Sequence, residues 1–180
     1  MRRNEQRTDY RKRLRLLIGR KNRVVIRKSL NEFNIQIVKY KESGDETVTE
    51  VSTKHLKQYG WKGHGGNLPS AYLTGFLFGK IAIKKGFDEG VIDLGLQSKK
   101  SQALFAVALG IKDAGFSIPV NAEIAQDRLK GGHIAKYAEH LKKNDQEKYK
   151  KQFSAYLKNG FNPEKLPEHF DEIKKRIEEI

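Results

Sequence analysis

Hydrophobic positions along the chain change their period several times, and each change predicts a different element. Between Thr8 and Gly19, Tyr10, Leu14 and Leu17 recur at i, i+4 and i+7 within an otherwise polar stretch. That spacing predicts a short helix, capped by Thr8 or Asp9 and stopped at Gly19, with Arg11, Lys12, Arg13 and Arg15 mostly off the apolar stripe. The segments "NRVVIRKS" (22–29), "NIQIVKY" (34–40) and "TVTEVST" (47–53) are short, β-branched and alternating, as strands are. The turn signal Ser43-Gly44-Asp45 precedes the third. Three consecutive strands with short turns form an antiparallel meander, with one apolar face and Arg23, Arg27, Gln36 and Lys39 on a polar one.

After the glycine-rich loop "GWKGHGGN" (60–67) the pattern becomes helical. "PSAYLTGFLFGKIAIKKG" (69–86) is apolar almost all round, so it predicts a helix buried against the sheet, with Gly75 and Gly79 admitting a second backbone. "GVIDLGL" (90–96) reads as a central strand covered on both faces, "SQALFAVALGIKDAG" (101–115) as a second buried helix, and "SIPV" (117–120) as a last short strand. The order β-β-β-α-β-α-β predicts an α/β fold with a mixed sheet of about four to five strands and flanking helices. Beyond Val120 the chain is polar and helical, broken at Gly131-Gly132, with Tyr149, Phe153, Tyr156 and Leu157 expected on one side of a helix over 145–160. The final helix carries the stripe Leu166, Phe170, Ile173, Ile177 and Ile180, expected either to pack on this chain or to dock a partner. The organisation expected is a basic arm (1–22), an α/β core (23–122) and a helical extension (123–180).

Charge changes this picture most at the start. Of 36 Lys and Arg and 22 Asp and Glu, giving a net +14, residues 1–28 hold twelve basic side chains and two acids, a net of 12 − 2 = +10. Residues 145–180 hold eight of each and are neutral. Solvated faces usually mix signs, so a segment this uniformly basic points to a polyanionic partner. No cysteine is present, which excludes disulfides, cysteine-based zinc sites and a cysteine nucleophile. The leading "MRRNEQRTDYRKR" has no apolar core of the secretory type, and "NLPSAYLTGFLFG" (67–79) falls short of a membrane span, so a soluble protein without membrane contact is expected.

Candidate chemistry is sparse. The loop 60–67 lacks the spacing of a phosphate-binding motif, although Trp61, Lys62 and His64 could stack on or bond to exposed RNA. An inward-folded Trp61 is the equal alternative. The five histidines show no metal-ligand spacing, so no metal or other cofactor is expected. Asp93 is the one acid in an apolar run; a metal-dependent nuclease would need further carboxylates beside it, and the first strand supplies none. No serine sits in a nucleophile elbow. The chain reads as a non-enzymatic binder with no small-molecule substrate. RNA suits it better than DNA, because no groove-reading motif is visible and arginine forks can follow an irregular phosphate surface.

The blocks "TDYRKRLRLLIGRKNRVVIRKS", "GWKGHGGNLPSAYLTG", "GVIDLGLQ" and "RLKGGHIAKYAEHL", in this order, resemble the universal 5S-rRNA-binding protein family of the large ribosomal subunit, in its archaeal-type long form. The resemblance spans about residues 8–143. It implies a ribonucleoprotein constituent of the cytoplasmic ribosome, with a fold of the translational-machinery type akin to ribonuclease H without its acidic site. Implied partners are 5S rRNA, large-subunit rRNA and neighbouring ribosomal proteins. Carried onto this chain, the implied RNA contacts are Arg2, Arg3, Arg7, Tyr10, Arg11, Lys12, Arg13 and Arg15, then Arg20, Lys21, Asn22, Arg23, Arg27 and Lys28, with Trp61, Lys62 and His64 as a second group. A protein-interaction module built on the C-terminal stripe is the alternative, with a nuclease as a further one. Six to ten phosphate contacts would make binding fall by roughly 10³–10⁵ between 50 and 200 mM salt.

Overall fold

The computed structural model describes residues 8–97 and 101–180. Its sheet has four strands, β1 (Arg23–Lys28), β2 (Phe33–Lys39), β3 (Glu46–Ser52) and β4 (Val91–Asp93), in the order β3-β2-β1-β4. The meander β1-β2-β3 is antiparallel, and β4 joins the other side of β1 in parallel. Register follows the alternation: Ile26 faces Ile35, Val24 faces Ile37 and Ile35 faces Val51, so all five lie on one fully buried face. The opposite face is polar, where Glu50 accepts hydrogen bonds from the Asn34 and Gln36 amides at 2.7 and 3.0 Å.

Two expectations about strands need correction. Residues 90–96 do not form a central strand: β4 is three residues long and lies at the sheet edge. Ile92 in β4 and Leu94 just after it are half-buried, packed against the core from one side. "SIPV" is not a strand either, but a single parallel bridge between Glu89 and Ser117. Ser117 donates to the Asp88 carbonyl at 2.7 Å and accepts from the Gly90 amide at 3.1 Å. The next rung would need an N–H from residue 119, which is proline, and the ladder ends there.

Helix α2 (Leu68–Lys84) packs on β2 and β3 and on α3 (Gln102–Asp113). Asn67 caps α2 by accepting the Ser70 amide at 2.9 Å, and Pro69 sits in its first turn. The helices meet backbone to backbone. A Cβ added at Gly75 would lie 2.1 Å from the Val107 carbonyl oxygen, and one at Gly110 would lie 2.2 Å from that of Tyr72. Only glycine permits such an approach.

The C-terminal helices are α4 (Gln126–Lys130), α5 (Gly132–Asn144), α6 (Gln146–Gln152), α7 (Ser154–Lys158) and α8 (Leu166–Glu178). Gly131 separates α4 from α5 in the left-handed conformation, at φ 89°. The single helix expected over 145–160 is split at Phe153, a bend that turns Tyr149, Phe153 and Tyr156 inward with ring centroids 5.5 and 5.8 Å apart, while Leu157 stays 37% exposed. On α8, Leu166, Phe170, Ile173 and Ile177 are buried against the rest of the chain, with Phe170 5.5 Å from Tyr72. Those four side chains therefore belong to the core, not to a docking face.

Candidate nucleic-acid interface

Helix α1 (Tyr10–Ile18) starts at Asp9, whose carboxylate accepts the Lys12 amide at 3.0 Å. Its apolar stripe does not pack inward: α1 buries no residue, Tyr10 and Leu14 are 46 and 63% exposed, and Leu17 is half-buried. The cause lies beneath it. α1 borders the polar face of the sheet, which offers carboxylates and carbonyls, so its polar side docks instead.

The docking is ionic. Arg13 donates two hydrogen bonds to Asp45, at 2.7 and 2.9 Å. Asp45 also accepts from Arg23, whose other terminal nitrogen donates to Asp93 at 3.1 Å. The second Asp93 oxygen accepts the Gly95 amide at 2.8 Å and lies 3.7 Å from Arg27. Arg27 further donates to the carbonyls of Ile26 and Asp93, and Lys12 to that of Gly95 at 2.9 Å. The order Arg13, Asp45, Arg23, Asp93 thus runs from α1 into the sheet. Partial burial raises the Asp45 carboxyl, but hydrogen bonds from Arg13 and Arg23 outweigh it and hold the group below the usual carboxylate range. Between Thr8–Arg13 and the sheet lies a cleft of about 470 Å³, lined in part by Arg27, Gln36 and Thr47.

The expected contact residues accordingly divide. Arg2, Arg3 and Arg7 lie outside the described residues. Arg23 is a correction: only 4% exposed and engaged by two carboxylates, it has no surface to offer a ligand, and its Nε has no partner. Lys21 is exposed and paired with Glu89 at 2.6 Å, while the Asn22 carbonyl is taken by the Val91 amide at 2.9 Å. Arg11, Arg15, Arg20 and Lys28 are exposed and form no ion pair among the described residues. Arg20 adopts φ 50°, unusual for a residue with a side chain, in the link between α1 and β1.

The loop after the 3-10 helix Thr53–Tyr59 divides likewise. Trp61 is 5% exposed and stacks on His169 with centroids 5.3 Å apart and planes at 12°. Of the two readings, the inward one describes it. Lys62 and His64 are exposed, and the Lys62 amide donates to His169 Nε2 at 3.2 Å. Burial, outweighing the nearby Glu172, holds His169 below the ordinary histidine range and favours the neutral ring this bond requires.

Sequence reasoning missed Asp45 and Glu89. Asp45 was visible only as a turn residue, and nothing local tells that a turn carboxylate meets an arginine 32 positions earlier. Among the described residues, no three His, Asp or Glu are grouped so as to hold a metal ion, and no helix is long and apolar enough to cross a membrane.

The arrangement is thus a cation-rich helix held by Asp45 and the Gly95 carbonyl over the polar face of an α/β sheet. Residues 1–89, from the arm through α2, match the family model described as ribosomal large subunit proteins 60S L5 and 50S L18. The chain belongs to that family and is a protein of the large ribosomal subunit.

Proposed function

We propose that this protein is a non-enzymatic constituent of the large subunit that binds 5S rRNA through the basic arm, α1 and the first strand. By doing so it helps attach that RNA to large-subunit rRNA and neighbouring ribosomal proteins. The reading rests on one observation beside the family match: Arg11, Arg15, Arg20 and Lys28, within eighteen consecutive residues, are exposed cations that form no ion pair among the described residues. Arg2, Arg3 and Arg7 extend the same contact from the sequence, with Lys62 and His64 as a second, smaller one. Arg23 and Trp61 act from inside, fixing the surfaces that carry the others. The three-part organisation into arm, α/β core and helical extension belongs to the same proposal. A hydrolytic role for Asp93 is disfavoured, because its oxygens already serve two guanidinium groups and a backbone amide.

The test replaces Arg11, Arg15, Arg20 and Lys28 together by Gln in the full chain and measures 5S rRNA binding against a tRNA competitor. Each lost phosphate contact should reduce the slope of log K against log salt by about 0.7–0.9. Affinity and slope equal to those of the parent protein would refute the reading.

A further inference from the structure

We propose that Asp45 is a positioning residue for RNA binding: a carboxylate inside a cationic surface that raises affinity by holding α1 in place. The inference rests on the RNA-binding reading above but makes a prediction of opposite sign to simple electrostatics. A negative charge beside the arm should repel phosphate, and its removal should help. At physiological salt that effect is small, because a screened charge about 10 Å away changes affinity by less than about twofold.

The opposing effect is larger. Helix α1 has nine residues and no buried side chain, and helices this short are marginal in water. Its side-chain hydrogen bonds to the rest of the described structure are the pair that Arg13 donates to Asp45 and the one that Lys12 donates to the Gly95 carbonyl. Asp45 is itself anchored, through Arg23 and Asp93, to the sheet interior. Its charge is met by two guanidinium groups, so little of it reaches a phosphate outside. Loss of Asp45 releases α1, and apparent affinity then falls by the fraction of time the helix is correctly placed. If that fraction drops to about one tenth, affinity falls about tenfold.

The experiment compares Asp45→Ala, Asp45→Glu and Glu42→Gln by 5S rRNA binding and by amide hydrogen exchange of the free protein. Glu42 lies in the same turn and is exposed, so its replacement removes one nearby charge and spares the clasp. Asp45→Ala should bind about tenfold more weakly and lose protection at the amides of residues 13–18. Asp45→Glu should recover part of both, and Glu42→Gln should bind within twofold of the parent. Tighter binding by Asp45→Ala, or weaker binding with α1 protection intact, overturns the proposal. Arg13→Gln, which leaves Asp45, Arg23 and Asp93 together, should show the same loss of protection and guards against misfolding as the explanation. Exchange needs no RNA: unchanged protection in Arg13→Gln sinks the clasp even if the parent protein fails to bind 5S rRNA, an outcome that would sink only the reading beneath it.

Discussion

Replacing Asp93 by Ala removes the innermost acid of the chain that ties α1 to the sheet. Asp93 is 6% and Arg23 4% exposed, so the substitution leaves a guanidinium almost out of reach of water. Breaking a buried pair by deleting one partner costs about 3–5 kcal/mol, mostly because the remaining charge is uncompensated. Arg23 keeps Asp45, which argues for the low end. Loss of the acceptor for the Gly95 amide adds about 1 kcal/mol. The expected destabilisation is therefore about 3–4 kcal/mol, read as a lower urea midpoint at unchanged m-value. The diagnostic arm is Arg23→Met with Asp93→Ala. Removing both charges should leave a protein more stable than Asp93→Ala alone, since the stranded cation is gone. A cost below about 1 kcal/mol for the single variant, or strict additivity in the double, would refute the account. Asp93→Asn also tests the hydrolytic alternative, which requires magnesium-dependent RNA cleavage by the parent protein that this substitution abolishes.

Glycine substitutions should separate by position. Gly75→Ala must push α2 and α3 apart against the Val107 carbonyl, costing about 3 kcal/mol or more, less about 1 regained in helix propensity. Gly19→Ala, with φ −72° and no atom within 4 Å, should stabilise by about 0.4–1 kcal/mol, and thermal unfolding of the pair should show opposite shifts. Acidification tests the His169 contact. Its folded pKa is depressed by burial, so the unfolded chain takes up the proton first. Its stabilisation is complete above about pH 6.5 and is lost as pH falls through the folded value. His169→Gln should flatten the stability slope between pH 7 and 5, leaving the part due to His133, which burial also depresses. An unchanged slope would mean that the Lys62 amide does not depend on that ring.

What could be read from the sequence was what neighbours in sequence decide. The alternation of "RVVIRK" and "FNIQIVK" placed Val24, Ile26, Ile35 and Ile37 on one face, and Gly75 marked the helix crossing, because strand alternation and helix period are local properties. The errors came where a distant element set the environment. The stripe Tyr10, Leu14, Leu17 was legible, but which side of α1 docks was not: the surface beneath it includes Arg23, Arg27, Gln36, Asp45 and Asp93, whose meeting at that spot is a tertiary fact. Residues 90–96 were apolar enough for a central strand, yet Pro119 prevents the segment that follows α3 from pairing along the remainder of β4. Arg23 looked like its basic neighbours and differs because Asp93, 70 residues away on the adjacent strand β4, and Asp45 both engage it.

That sorting of cations changes the salt dependence expected for RNA binding. A count from the sequence gives twelve basic side chains in residues 1–28, but Lys12, Arg13, Lys21, Arg23 and Arg27 are engaged by Asp45, Asp93, Glu89 and main-chain carbonyls. Among the described residues Arg11, Arg15, Arg20 and Lys28 are not so engaged, and with Arg2, Arg3 and Arg7 counted from the sequence the total is seven. At about 0.7–0.9 per phosphate contact, these seven give a slope of log K against log salt of about −5 to −6, whereas all twelve would give about −8 to −11. A measured slope in the steeper range would mean that RNA pulls the engaged cations off their carboxylates. Asp45 would then compete with phosphate instead of presenting α1 to it. The slope therefore distinguishes a helix held ready for RNA from one that has to be released to bind it.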